Sequence, residues 1–106
     1  MPSPRHPLPL EVEQALVDLG ARISLQRRLQ GLRQADLARQ MGVSLSTLTL
    51  LEQGASGVSI GNLGRALWAL RRLEDLDDVG ALEPSDELLE AGIDKAPKRV
   101  RRTSKG

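Results

Sequence analysis

Short hydroxyl side chains and leucines alternate in the middle of the chain and carry its clearest chemical signal. Ser46, Thr47 and Thr49 are spaced to lie on the outside of a helix, where hydroxyls can contact phosphates or base edges in a groove. Leu48 and Leu51 fall on the opposite, inward face of the same helix. The pattern predicts a helix that presents short side chains to a nucleic-acid groove.

Residues suited to catalysis or metal binding are few. The chain has no cysteine, and its single histidine stands alone in a proline-rich end, so we expect no enzyme activity and no cofactor. Asp75, Asp77 and Gly80 fall at the first, third and sixth places of a calcium-binding EF-hand loop. Val79 does not suit the fifth place and Asp86 replaces the glutamate of the twelfth, so we expect no metal site.

The composition is that of one small globular domain, with 106 residues, 40% hydrophobic and 27% charged. Trp68 is the only aromatic residue, which argues against strand-rich folds and against stacking platforms for single strands. The net charge of +1 is a sum of unlike parts. Residues 1–73 carry nine bases and five acids (+4), residues 74–94 nine acids (−9), and residues 95–106 six bases (+6). Such asymmetry indicates separate roles.

Apolar periodicity and capping residues predict helices and an all-α fold. The predicted helices are Glu11 to about Gln30, Arg33 or Gln34 to Met41, the segment 44–53, Ser59 to about Leu73, and a short one from Ser85 to Gly92. Ser44 and Ser59 are predicted N-caps, and Gly31, Gly42 and Gly54 follow the first three helices as turn residues. The buried stripe of the first helix is Val12, Leu16, Leu19 and Ile23, and that of the fourth is Ile60, Leu63, Ala66, Leu67 and Leu70.

Composition divides the chain into four predicted parts. Residues 1–10 form a disordered proline-rich lead, residues 11–76 a helical domain, residues 77–94 an acidic segment with a short helix, and residues 95–106 a basic disordered tail. The lead has no hydrophobic stretch typical of a secretory signal, and no apolar run reaches the length of a membrane span. We therefore expect a cytoplasmic location.

The unit from Gln34 to Leu51 meets the requirements of a helix-turn-helix, which needs a short support helix, a tight turn and a second helix at a wide angle. Ala38 is small where the two helices approach, and Gly42 lies in the turn. The buried contacts would come from Leu37, Met41, Val43, Leu48 and Leu51. The alternative is a helical hairpin that merely packs, although packing does not require small residues at both positions.

These residues and their neighbours resemble the Xre-type, phage-repressor-like helix-turn-helix family over about residues 15–73. The matching positions are Leu19-Gly-Ala-Arg-Ile23, Arg27, Gly31-Leu32, Gln34-Ala-Asp-Leu-Ala38, Met41-Gly-Val-Ser44, Ser46-Thr-Leu48, Leu51-Glu52, Gly54, Leu63 and Ala66-Leu67. The resemblance implies a five-helix domain that binds double-stranded operator DNA as a dimer and usually represses transcription. A DNA-binding role would associate the protein with the nucleoid.

The resemblance also implies roles for single positions. The base-facing positions are Leu45, Ser46, Thr49 and Leu50. The positions that match contacts with the DNA backbone are Gln34, Thr47 and Gln53, and Gln34 also braces the recognition helix. The amides near Ser59 to Asn62 lie at a predicted helix N-terminus, which suits an anion, and complete the predicted backbone contacts. Arg27 and Glu52 match a buried ion pair that links the first and third helices. The alternative for this pair is two solvated surface charges.

The base-facing set departs from the family at Leu45 and Leu50, where glutamine, arginine or asparagine is usual. Leucine cannot form the bidentate bonds that distinguish guanine or adenine, but it can touch a thymine methyl group. The departure predicts thymine-rich half-sites with weak direct readout, supported by DNA shape and phosphate contacts. In the alternative, Leu50 packs inward and only the other three residues face bases.

The flanks leave further alternatives open. Trp68 falls off the buried stripe of its helix and is either an anchor for a dimer or another partner, or a residue at the edge of the core. The tail 95–106 either binds phosphates non-specifically or acts as a solubilising end. The acidic stretch would bind a partner protein or mask the basic tail.

Two classes of function follow. The first is a sequence-specific DNA-binding repressor that acts as a homodimer. The small size, leucine-rich fourth helix, acidic remainder and free tail are similar to HipB-like antitoxins, a resemblance that implies repression of their own operon and binding to a kinase-like toxin. The second is a protein-interaction module on a helix-turn-helix scaffold with little DNA specificity, which the leucines at 45 and 50 would suit.

Overall fold

The computed structural model describes residues 7–83 and has five helices within that range. They are α1 (Leu10–Leu29), α2 (Gln34–Met41), α3 (Leu45–Glu52), α4 (Ile60–Ala69) and α5 (Asp75–Asp78). Residues 7–71 lie in one compact unit and residues 72–83 in a second. The predicted all-α fold is confirmed. No helix in the described part of the chain is both long and apolar enough to cross a membrane.

Helix α1 begins after Pro9, whose carbonyl accepts the first helical N–H groups, and it ends before Gly31. Its first turn carries acids and its last turn carries Arg27 and Arg28, an arrangement that complements the helix dipole. The N–H of Gly31 donates to Arg28 and that of Leu32 to Arg27, at 3.0 and 3.1 Å. These two bonds form a Schellman end, as the glycine predicted.

The turn between α2 and α3 is built by Gly42 and Ser44. Gly42 has a φ of +74°, a left-handed conformation that costs glycine little and other residues more. The N–H of Val43 then reaches back to the carbonyl of Ala38 at 3.0 Å. Ser44 Oγ accepts the N–H of Thr47 at 3.1 Å, which confirms the predicted N-cap of α3.

Helix α1 and the C-terminal end of α3 are in direct backbone contact. A Cβ atom on Gly20 would lie 2.6 Å from the carbonyl oxygens of Leu51 and Glu52. A Cβ on Gly54 would overlap the backbone of Leu16. Only glycine permits this approach, and it brings the first and third helices close enough for their charged side chains to meet.

The core lies among α1, α2, α3 and α4. Its fully buried large side chains are Leu37, Met41, Leu48 and Leu70, and Ile23, Ala38, Leu51 and Ala66 complete the cluster. The inward residues predicted for the helix-turn-helix unit are therefore in place, with Val43 packed at the edge of the cluster. This packing holds α3 against α1 and α2 and leaves its outer face at the surface.

Two residues that the periodicity placed in buried stripes lie at the surface instead. Ile60 is 80% exposed and Val12 is 40% exposed. Ile60 is the first residue of α4, directly after Ser59, whose Oγ caps the helix by accepting the N–H of Asn62 at 3.0 Å. Because the helix packs on the core only from Leu63 onward, its first residue points away from the cluster.

Helix α4 ends at Ala69, not at about Leu73 as the periodicity predicted. Arg71 adopts a φ of +62°, and this left-handed residue terminates the helix. The Nε2 of Gln30 donates to the carbonyl of Leu70 at 2.9 Å and satisfies one of the end carbonyls. The side chain of the residue that caps α1, forty residues away in sequence, thus helps to fix where α4 stops.

In the second unit, α5 lies where the sequence predicted no helix. It carries three aspartates, and acids in a first helical turn interact favourably with the helix dipole. Arg72 Nε lies 3.2 Å from Asp75 Oδ2. The predicted helix from Ser85 to Gly92, the first six residues of the lead and the basic tail lie outside the described residues.

Candidate nucleic-acid interface

The first turn of α3 is exposed. The side chain of Leu45 is half exposed, at 50%, and Ser46 is exposed beside it. Leu48 and Leu51 are buried on the opposite face of α3. The hydroxyl cap of Ser44 fixes the direction in which this turn points. The sequence-predicted outer face of the helix is thus available to a ligand.

The hydroxyl groups of this turn form a local network. Ser44 Oγ lies 3.1 Å from Ser46 Oγ and 2.9 Å from Thr47 Oγ1. Thr49 Oγ1 donates to the carbonyl of Leu45 at 3.0 Å. With its proton committed to the backbone, the Thr49 oxygen can still accept a hydrogen bond, as from an amino group at a base edge.

Leu50 lies at the surface, not in the core. It is 49% exposed, which contradicts the alternative in which this side chain packs inward. It lines a shallow surface groove of about 290 Å³ together with Thr47, Ser59 and Asn62. The fold therefore brings one predicted base-facing residue and three predicted backbone-contacting residues to one surface.

Gln53 does not line that groove, although it lies about one helical turn after Leu50. It is exposed and forms the C-terminal cap of α3, with its N–H donating to the carbonyl of Thr49 at 3.0 Å. Among the predicted backbone contacts, Gln53 alone sits at the far end of α3.

A buried charge network, which we call the Arg27 brace (Arg27, Glu52 and Gln34), joins α1, α2 and α3. Arg27 Nε lies 2.7 Å from Glu52 Oε2, and Arg27 Nη2 donates to Glu52 Oε1 at 3.1 Å. Gln34 Nε2 donates to the same Oε1 at 2.9 Å. Arg27 Nη1 donates to the carbonyl of Leu32 at 2.9 Å. The two charged side chains are only 11% and 6% exposed.

The hydrogen bond to Glu52 limits the donors that Gln34 can still offer to a ligand. One hydrogen of its side-chain amide is used by Glu52, and the second remains for another acceptor. Gln34 is also the first residue of α2, where backbone N–H groups have no partner within the helix and favour an anion. A phosphate contact at this position would use these donors.

The surface around α3 has almost no charge. From residue 40 to residue 64 the sequence contains one charged residue, Glu52, and the Arg27 brace neutralises it. We call four outward residues of α3 the reading face: Leu45, Ser46 and Leu50, which are exposed, and Thr49, which is partly buried. Ile60 was not predicted to be exposed, and the signal that could have shown it was its place directly after the N-cap.

Two exposed cations lie at α2, one directly before the helix and one within it. Arg33 and Arg39 have side chains 84% and 73% exposed and lie 3.5 and 3.6 Å from opposite oxygens of Asp36. The N–H of Arg33 donates to the Asp36 carboxylate at 2.9 Å. This bond, with the charges of both arginines, lowers the pKa of Asp36 below its ordinary value of 3.8. Both guanidinium groups remain accessible to a phosphate.

A support helix, a glycine turn and an exposed, capped second helix, all packed on one core, define a helix-turn-helix DNA-binding domain. A family model described as helix-turn-helix, of the Xre/cro/cI-like kind, matches residues 23–71. This part of the chain is an Xre-type helix-turn-helix domain, which supports a role as a DNA-binding transcription regulator. No curated protein and no solved structure matches the chain significantly.

Proposed function

We propose that the protein is a sequence-specific transcriptional repressor that binds operator DNA as a homodimer, with the helical segment 44–53 in the major groove. The observation that carries the proposal is the exposed, Ser44-capped first turn of α3, held against α1 and α2 by the Arg27 brace. A recognition helix must be both accessible and fixed in direction, since misplacement of its first turn would lose the base contacts.

Base reading in this proposal depends on apolar and hydroxyl contacts. Leu45 and Leu50 contact thymine methyl groups, Ser46 contacts a base edge, and the Thr49 oxygen accepts from a base amino group. Gln34, Thr47, Gln53, Ser59 and Asn62 contact the DNA backbone. Such contacts discriminate weakly, so the operator is expected to be thymine-rich and to be recognised partly through its shape.

A homodimer would place two copies of α3 on half-sites about 34–36 Å apart, one helical turn of DNA. The absence of bases between residues 40 and 64 makes a dimer more important, because each half-site offers few charge contacts. Arg33 and Arg39, and the basic tail 95–106, would supply the phosphate-neutralising charge.

Within this class we propose an antitoxin that represses its own operon and binds a kinase-like toxin. The support is architectural: a small single domain, an acidic stretch of net charge −9 and a separate basic tail. Copurification of a toxin-like protein encoded beside this chain would support it. If the protein is purified without any partner from cells in which it still represses its operon, the antitoxin proposal is contradicted.

A second candidate is a protein-interaction module that uses the same scaffold with little DNA specificity. The observation that favours it is the reading face itself, with two half-exposed leucines, Leu45 and Leu50, and no cation. Protein-interaction surfaces are depleted in charge at their centres.

A gel shift on the DNA upstream of the protein's own gene separates the two candidates. We expect the protein to shift this DNA at low salt, and Ser46→Glu to abolish the shift, because it places a carboxylate in the negatively charged groove of the DNA. Ala21→Glu adds the same charge at an exposed position of α1 and should leave the shift intact. No shift at low salt would favour the interaction module.

A further inference from the structure

The exposed tryptophan lies in a groove separate from the reading face. Trp68 is 61% exposed, although it is the largest apolar side chain of the chain. With Gln40, Ala69 and Arg71 it lines an open groove of about 410 Å³ at the C-terminal ends of α2 and α4. We call this the Trp68 groove. The exposure contradicts the alternative in which Trp68 completes the edge of the core.

One arginine lines the Trp68 groove, and a second lies one turn before Trp68 on the same helix. The first is Arg71, which is exposed, and the second is Arg65 on α4. Arg65 Nη1 donates to the carbonyl of Met41 at 3.0 Å, which holds the guanidinium beside the end of α2. Residues 37–41 and 60–73 contain no aspartate or glutamate, and the acids nearest to them in the sequence are Asp36 and Glu74.

We propose that the Trp68 groove is a docking site for an acidic amphipathic helix of another protein. Tryptophan and arginine are the side chains that most often dominate protein interfaces. The indole would contact the apolar face of the incoming helix, and the guanidinium groups of Arg65 and Arg71 would pair with its carboxylates. The charge of the groove selects an acidic partner over a basic one.

The chemistry favours a protein over DNA at this site. The Trp68 groove shares no lining residue with the groove that holds Leu50, Ser59 and Asn62. Trp68 lies eight residues after the first residue of α4, about 12 Å along the helix axis. A large exposed apolar ring matches an apolar helix face better than it matches a phosphate backbone. The inference does not rest on the proposed repressor function.

The intrinsic fluorescence of the full-length protein tests the proposal, because Trp68 is its only aromatic residue and reports on this groove alone. The probe is a synthetic amphipathic helix with leucines on one face and glutamates on the other. We expect saturable binding and a blue shift of the Trp68 emission as the ring leaves water. The counterpart in which lysines replace the glutamates should leave the emission unchanged.

In a second test, the fluorescence anisotropy of a dye-labelled glutamate peptide measures its affinity for variants of the protein. Trp68→Ala and, separately, Arg71→Glu should each weaken binding about tenfold or more, since each removes a dominant contact. Arg22→Glu makes the same charge change at an exposed position of α1 and should leave the affinity unchanged. Circular dichroism checks that each variant keeps its helices.

Three results would overturn the proposal. In the first, the lysine peptide binds as tightly as the glutamate peptide. In the second, Trp68→Ala or Arg71→Glu binds the glutamate peptide like the wild type while folded. In the third, duplex DNA shifts the Trp68 emission and the glutamate peptide does not, which would make this groove part of a nucleic-acid surface.

Discussion

The Arg27 brace and the reading face use charge in opposite ways, although Glu52 is only two residues from Leu50. The brace buries a carboxylate and a guanidinium at exposures of 6% and 11% and surrounds them with hydrogen bonds. The reading face exposes leucines at 49% and 50% with no charge of its own. In most proteins the buried region is apolar and the exposed one is charged.

This difference indicates that the brace positions α3, whereas the reading face contacts the ligand. Charged hydrogen bonds in a buried site are directional, so they fix the angle between α1 and α3. Apolar and hydroxyl contacts at the surface carry little long-range attraction, so the reading face depends on being placed correctly. Substitutions in the brace should therefore change stability most, and those on the reading face should change DNA affinity.

Removing the carboxylate of the brace should have the largest effect. Glu52→Ala leaves the buried Arg27 guanidinium without its counterion, and we expect a loss of about 3–5 kcal/mol in the free energy of unfolding. Urea denaturation measures it. Arg33→Ala breaks the exposed pair with Asp36 and should cost much less. Equal, small losses in the two variants would show that the Arg27–Glu52 pair is effectively solvated.

A substitution where α1 approaches α3 should lower the stability almost as much. Gly20→Ala places a Cβ against the carbonyls of Leu51 and Glu52, which forces the helices apart at a cost of about 2 kcal/mol or more. Gly57→Ala is the matched control, because no atom lies within 4 Å of the added Cβ and the residue has no positive φ. Thermal unfolding of the two variants compares them, and similar melting temperatures would contradict the prediction.

On the reading face, a single leucine should affect DNA affinity but not stability. Leu45→Ala removes the proposed contact with a thymine methyl, worth about 0.8 kcal/mol, or roughly a fourfold change in Kd. The loss should appear on a thymine-containing half-site and be much smaller on the same site with uracil. Equal losses on both sites would exclude the methyl contact while leaving DNA binding itself intact.

The smallest effect concerns the exposed charges of α2. The pKa of Asp36 is lowered in the folded state, so its contribution to stability is complete above 3.8 and declines as the pH falls below that value. Asp36→Asn should therefore unfold with less dependence on pH in the acid range than the wild type. Identical acid-unfolding curves would show that the bond from the Arg33 N–H does not persist in solution.

The sequence predicted the helix-turn-helix closely, because its turn and its helix cap depend on hydrogen bonds between residues only a few positions apart. Gly42 and Ser44 set the turn and the cap through bonds to their immediate neighbours, and both are in place. The end of α4 could not be predicted in the same way. It depends on a left-handed Arg71 and on a hydrogen bond from Gln30, forty residues away, and apolar periodicity contains neither.

Residue types and their spacing were enough to predict that helices form in the domain, the inward and outward faces of α3 and the scarcity of charge between residues 40 and 64, but not where α4 ends. These predictable properties follow from the pattern along one helix. Packing between helices was needed to show that Gln34 shares a carboxylate with Arg27, that Ile60 reaches the surface and that Trp68 lines a groove with Arg71. Each depends on how separate helices pack, and packing is set by contacts between residues distant in the chain.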